Sequence, residues 1–231
     1  MYSNLLAEFH QPRSGIQFLA DRMLFPSCGS PPSASSMYFL AEISARSLGN
    51  RIHYSINFTD SINAYMYTGG VSGSPQRPTT TAANDLMDVD NLASLQNVCN
   101  ELDRQVETWY KSLPDAIKPN LMPGGPDNDN IQAALLQCRY WSLRNKIYRP
   151  FVFKATSMPA QVELTRDLSE KCQACITACR RFLECVGGLL DHRSPYLYTA
   201  SHGSVTNSTF QSTFLPFLFL FITRHPDDLN I

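Results

Sequence analysis

Apolar side chains recur at steps of three and four through four long stretches, separated by loops dense in Gly, Pro, Ser, Thr and Asn. The first stretch runs from about Ser36 to Tyr65, with Leu40, Ile43, Leu48, Ile52 and Ile56 as its apolar face and Glu42 four residues ahead of Arg46 as an ion pair. The second, Asp90 to Leu113, carries one unbroken stripe of Leu92, Leu95, Cys99, Leu102, Val106, Trp109 and Leu113. Asp90 is read as its N-cap and Pro114 as its end, because a proline pushes the residue before it out of the α region. The third, Ile131 to Tyr148, has two apolar rows, Ile131/Leu135/Cys138 and Leu136/Tyr140/Leu143/Ile147, which predicts a central helix with neighbours on both sides. Pro150 is expected to close it. The fourth, about Val162 to Leu190, repeats the single stripe with Leu168, Cys172, Cys175, Cys179, Phe182, Val186 and Leu189. A fifth helix is expected over Phe210 to Thr223, interrupted at Pro216.

No segment alternates at period two for a strand's length, so the expected class is all-α, an array of antiparallel helices. The organisation read from the pattern is an irregular segment over 1–35, one helical domain over 36–225 with loops at 69–89 and 114–130, and a tail at 226–231. The apolar run at 214–222 falls short of the roughly 20 residues a bilayer requires, so no membrane span is expected. The N-terminus has no charged head followed by an apolar run; without a signal peptide the seven thiols are expected to be reduced.

Composition narrows this further. Hydrophobic residues make up 43% of the 231 and charged residues 17%, too apolar a mix for a disordered chain. The net charge of −1 gives no overall electrostatic footprint for nucleic acid. A local one exists: Arg139, Arg144, Lys146, Arg149 and Lys154 stand with Tyr140, Trp141 and Tyr148 in a stretch with no acid. The second helix offers the simpler explanation, since Asp85, Asp88, Asp90, Glu101, Asp103 and Glu107 there need basic neighbours.

Cys172, Cys175 and Cys179 raise the question of zinc. Seven residues of helix rise about 10.5 Å, whereas one tetrahedral ion holds its sulfurs at about 2.3 Å, so three thiols on successive turns do not converge on one ion. All three also lie on the apolar stripe, where a reduced cysteine acts as a small hydrophobe. Core burial is favoured over a metal or redox role. No metal ligand, cofactor-binding or catalytic residue is assigned: the histidines (10, 53, 192, 202, 225) fall in no recognisable frame, and no P-loop, dinucleotide glycine motif or nucleophile elbow occurs. An enzyme is not expected; the weaker enzyme reading would need His192 or His202.

Four stretches, in order, resemble the fungal-specific regulatory (middle homology) region of zinc-cluster transcription factors. Tyr38-Phe39-Leu40-Ala41-Glu42-Ile43-Ser44 with Asn50-Arg51-Ile52-His53 is similar to the first helix of that region. Glu101-Leu102-Asp103 with Trp109-Tyr110-Lys111-Ser112-Leu113-Pro114 and then Ile117-Lys118-Pro119 is similar to the second. Arg139-Tyr140-Trp141 through Ile147-Tyr148-Arg149-Pro150-Phe151 resembles the third motif, and the Cys172/Cys175/Cys179 helix with Arg180 the fourth. The match covers about Arg13 to Ile222.

The resemblance implies an all-α regulatory or effector region of a nuclear protein that regulates RNA polymerase II transcription, working through protein or ligand contacts. It also implies homo- or heterodimer contacts and other transcription proteins as partners. The family's six-cysteine zinc cluster has no counterpart here, since only Cys28 lies in the first 98 residues. The expectation is therefore no cofactor in this chain, DNA contact only through a missing module or a partner, and ends cut inside a larger region. A fragment, a faulty gene model and a natural truncated regulator stay open. The alternative function is a standalone binder of a small apolar ligand or metabolite, which an apolar cleft between helices would accommodate.

Overall fold

The computed structural model describes residues 23–27, 29–68, 81–122, 130–158 and 164–190. Within them the chain forms four helices and no strand: α1 (Ala34–Thr68), α2 (Thr81–Ser112), α3 (Ile131–Ser157) and α4 (Arg166–Leu190). The class is all-α. The predicted fifth helix, Cys28, His10, His192, His202, His225 and the tail at 226–231 lie outside the described residues. No helix among the described residues is long and apolar enough to cross a membrane.

Local chemistry sets the helix starts. The Ser33 hydroxyl accepts from the Ser36 amide at 3.1 Å ahead of α1. The Asn130 side chain accepts from the amides of Gln132 and Ala133 at 3.1 and 3.2 Å ahead of α3. Thr165 does the same for Leu168 at 3.4 Å ahead of α4. Each satisfies amides that have no partner inside the helix.

Two boundaries differ from those read off the sequence. The α2 backbone is helical from Thr81, so 81–89 extends the helix instead of belonging to a loop, and Asp90 is not its N-cap. No Gly or Pro lies between Pro78 and Pro114 to stop it. At the other end α2 stops at Ser112, ahead of Pro114 as expected. Pro150 lies inside α3, which continues to Ser157. The proline removes one rung of the hydrogen-bond ladder, a cost of about 3 kcal/mol. Continuing the helix, however, buries Phe151 and Val152 in the core, at roughly 1.5–3 kcal/mol each.

Helix α3 is central, packing against α1, α2 and α4. The contacts give the directions. Asp103 meets Arg144 and Glu107 meets Tyr140, so α2 and α3 run antiparallel. Ser44 meets Trp109 and Arg51 meets Gln105, so α1 and α2 are antiparallel as well. Glu42 meets Arg139 and Gly49 meets Leu143, which sets α1 and α3 in the same sense.

The stripes of α2 and α4 enter the core as predicted, from Cys99 to Leu113 and from Leu168 to Leu189. Leu92 and Leu95 flank it, partly buried. The buried face of α1 is rotated from the predicted one: Tyr38, Ala41, Ala45, Leu48, Ile52 and Ile56 are buried, while Leu40 and Ile43 are only half-buried. Beside that face α3 comes close, with the Leu143 Cδ2 only 3.1 Å from where a Cβ on Gly49 would stand.

Candidate functional site

The densest polar constellation lies in the seam between α2 and α3. The Arg144 guanidinium grips the Asp103 carboxylate with two bonds, Nε to Oδ1 at 2.9 Å and Nη2 to Oδ2 at 3.0 Å. Its Nη1 donates to the Tyr140 hydroxyl at 3.0 Å, and that hydroxyl donates to Glu107. Arg144 also lies 5.9 Å from the Tyr148 ring, and the Lys171 ammonium of α4 stands 5.4 Å over the same ring. Lys171 donates in turn to Asn100 of α2 at 2.5 Å. A second tie joins α1 to α3: the Arg139 Nη2 donates to Glu42 Oε1 at 2.7 Å, beside the expected Arg46–Glu42 pair at 2.8 Å.

The electrostatics hold these groups in their neutral-pH forms. Burial opposes the charge of Arg144, but Asp103, Tyr140 and Tyr148 together outweigh it and the pKa rises. Burial pushes the Tyr148 phenol up to about 12, with Asp103 adding to it. Tyr140 is raised by burial and by its bond to Glu107. Burial also works against the Glu42 charge, yet Arg139 and then Arg46 prevail and hold its carboxyl below the ordinary value. A half-buried carboxylate gripped by guanidinium and phenols already hydrogen-bonded to neighbours form a clamp, with their polar capacity spent on one another.

The geometry accounts for Arg139, Arg144 and Arg149 of the basic-aromatic stretch and for its three rings. Tyr140 and Tyr148 are buried, and Trp141 packs edge-on against Tyr140 with ring centres 4.9 Å apart. Arg144 does face the acidic α2, as expected, whereas Arg139 turns to Glu42 of α1. Arg149 stacks over Phe153 at 5.6 Å. Glu101 is met within its own helix by Arg104 at 2.7 Å, and the side chains of Asp85, Asp88 and Asp90 lie outside the described residues.

Cys172, Cys175 and Cys179 sit in the core between α3 and α4. Burial pushes the Cys172 thiol up to about 12 and raises Cys175 as well, the environment of inert hydrophobes. Among the described residues no group of three or more His, Cys, Asp or Glu is placed to hold a metal ion. His192 and His202 lie outside the described residues, so no geometry bears on the enzyme reading.

Two residues with structural weight were not singled out by the pattern. Asn145, the one buried polar side chain among the described residues, donates from Nδ2 to the Cys175 carbonyl at 3.5 Å and stands 3.6 Å from its sulfur. Its signal was present: seven residues beyond Cys138 continues the apolar row of α3 to Asn145. Ser44 was also missed; it accepts from the Trp109 indole at 2.9 Å.

No family model, no curated protein and no solved structure matches this chain.

Proposed function

We propose that the chain is the regulatory or effector region of a fungal zinc-cluster transcription factor, acting in the nucleus on RNA polymerase II transcription through protein or ligand contacts. One observation supports this reading. The four stretches that carry the resemblance are tied to one another by their own polar residues. Glu42 of the first binds Arg139 of the third, and Ser44 of the first binds Trp109 of the second. Asp103 of the second binds Arg144 of the third, and Asn145 of the third binds Cys175 of the fourth. Residues of these stretches that lock one helical array together fit a rigid scaffold presenting its outer faces to partners.

The test is a one-hybrid assay, with the chain fused to an unrelated DNA-binding module upstream of a reporter in a fungal cell. The expected result is a several-fold change in reporter output, in either direction, over the module alone. Output equal to that of the module alone, with the fusion present at equal abundance in the nucleus, would overturn the proposal.

A further inference from the structure

The buried stripe of α4 steps alternately by four and three from Leu168 to Leu189, a strict seven-residue repeat. Helix α3 carries the same repeat: Cys138, Asn145 and Val152 recur at seven, interleaved with Ala134, Trp141 and Tyr148. A mean step of about 3.5 residues keeps the seam between two helices in contact over several turns.

Contacts at the middle of the pair fix how the two rows meet. The Asn145 Nδ2 donates to the Cys175 carbonyl at 3.5 Å and stands 3.6 Å from its sulfur, and the Cys175 thiol donates back to the Asn145 carbonyl oxygen at 3.8 Å. The Lys171 ammonium stands 5.4 Å over the Tyr148 ring, which sets the adjoining Cys172 level with Tyr148. Both contacts have the helices antiparallel. Continued along the pair, this register stacks Val152 on Leu168, Trp141 on Cys179, Cys138 on Phe182 and Ala134 on Val186. Burial agrees: Cys138, Phe182 and Val186 share one cluster, with Ala134 and Trp141 packed against it, and Tyr148, Val152, Leu168, Cys172 and Cys179 lie in the main core. The register also gives the α4 cysteines a purpose. Cys172 and Cys179 are the small halves of layers that Tyr148 and Trp141 fill, and Cys175 leaves room for the one buried polar side chain.

Hydrophobic burial by itself does not choose this alignment. Shifted by one heptad in one direction, Trp141 meets Val186 and Cys138 meets Leu189; in the other, Trp141 meets Cys172 and Ala134 meets Cys179. Both sets of layers stay apolar. Asn145 separates them from the observed one, because it would face Phe182 or Leu168, and an amide buried against either has no acceptor.

We propose that α3 and α4 form an antiparallel coiled coil in which Asn145 is the register-determining residue, excluding the two neighbouring alignments. Asn145 selects among alignments and is not what holds the helices together. Cys175 lies well inside α4, so its carbonyl keeps its own rung of the helix ladder, and removing the amide leaves no buried group without a partner. Asn145→Leu therefore folds and loses its single register. This lock is independent of the transcription reading.

The test is NMR of the whole isotope-labelled chain, whose two tryptophans give two indole N–H signals. Trp141 lies in the layer next to Asn145, whereas Trp109 is bonded to Ser44 between α1 and α2 and serves as the internal reference. The wild-type chain should show one signal for each. In Asn145→Leu the Trp141 signal should double, or broaden with relaxation dispersion where the registers interchange within microseconds to milliseconds, while that of Trp109 stays single. Cys175→Ala keeps the backbone acceptor and should leave one Trp141 signal. A folded Asn145→Leu chain with a single Trp141 signal and no dispersion would overturn the proposal. So would an Asn145→Leu chain that loses its dispersed spectrum, because the amide would then hold the fold and not merely select a register.

Discussion

Arg144 shows how much one side chain carries. It binds Asp103 with two bonds and orders Tyr140, which in turn orders Glu107. Arg144→Ala leaves the mostly buried Asp103 carboxylate without its counter-charge and should cost about 2–3 kcal/mol, measured by denaturant titration. Arg144→Lys should recover only part, because an ammonium cannot make both bonds to one carboxylate. Titration offers a second check. Glu42 is held below its ordinary 4.5, so the folded chain binds fewer protons than the unfolded one in acid. Its stabilising effect is present above that value and is lost as the pH falls through the folded pKa. Cys172 is raised from 9.0 to about 12, and its contribution is present below 9.0 and lost as the pH rises towards 12. Melting temperature should therefore fall on both sides, with Glu42→Gln flattening the acid limb and Cys172→Ala the alkaline one. These partners were only half legible in the sequence. The Glu42–Arg46 pair follows from helical spacing, whereas Arg139 reaches Glu42 from 97 residues away.

At the scale of the element, α3 and α4 each keep a residue that helical propensity disfavours. Gly187 lies in α4, exposed, and a methyl there would meet nothing within 4 Å. Gly187→Ala should stabilise the chain by about 0.5–1 kcal/mol, seen as a rise in melting temperature. Gly49 is the contrast, because Leu143 stands 3.1 Å from the added carbon and both helices are packed. Gly49→Val should destabilise by about 1–3 kcal/mol through overpacking, in the same assay. Pro150 continues through a helix that the sequence was expected to end there. Local rules place the stop correctly at Pro114, where no core residue follows at once. They fail at Pro150, because Phe151 and Val152 beyond it belong to the core. The stripes of α2 and α4 were legible since one face of each is apolar throughout. That of α1 was legible at Leu48, Ile52 and Ile56 but not at its start, where Ala41 and Ala45 fill the buried face and alanine carries little hydrophobic signal.

Across the whole molecule, the helices form an array around α3, with polar ties on the α1 and α2 sides and cysteine-rich packing against α4. The proposed regulatory role places DNA reading outside this chain. The purified chain should leave labelled duplexes unshifted in an electrophoretic assay at micromolar protein and physiological salt. Nanomolar, sequence-specific binding would sink that expectation. Chelation should likewise leave the melting temperature unchanged, since buried thiols of the Cys172/Cys175/Cys179 kind support the core as hydrophobes. A drop of several degrees with chelator, reversed by zinc, would contradict it.

The amino-acid sequence alone determined the all-α class, the four described helices and most of the residues that fill the core. Those properties rest on periodicities of three and four residues, which the chain carries locally. Only the tertiary structure decided which charges pair and that Asn145 meets Cys175. Such contacts join residues tens of positions apart, and their partners are chosen by the packing and direction of the helices. For the same reason the proline at 150 could be judged only in place. A local penalty is outweighed when the residues that follow it complete a core that other helices have built.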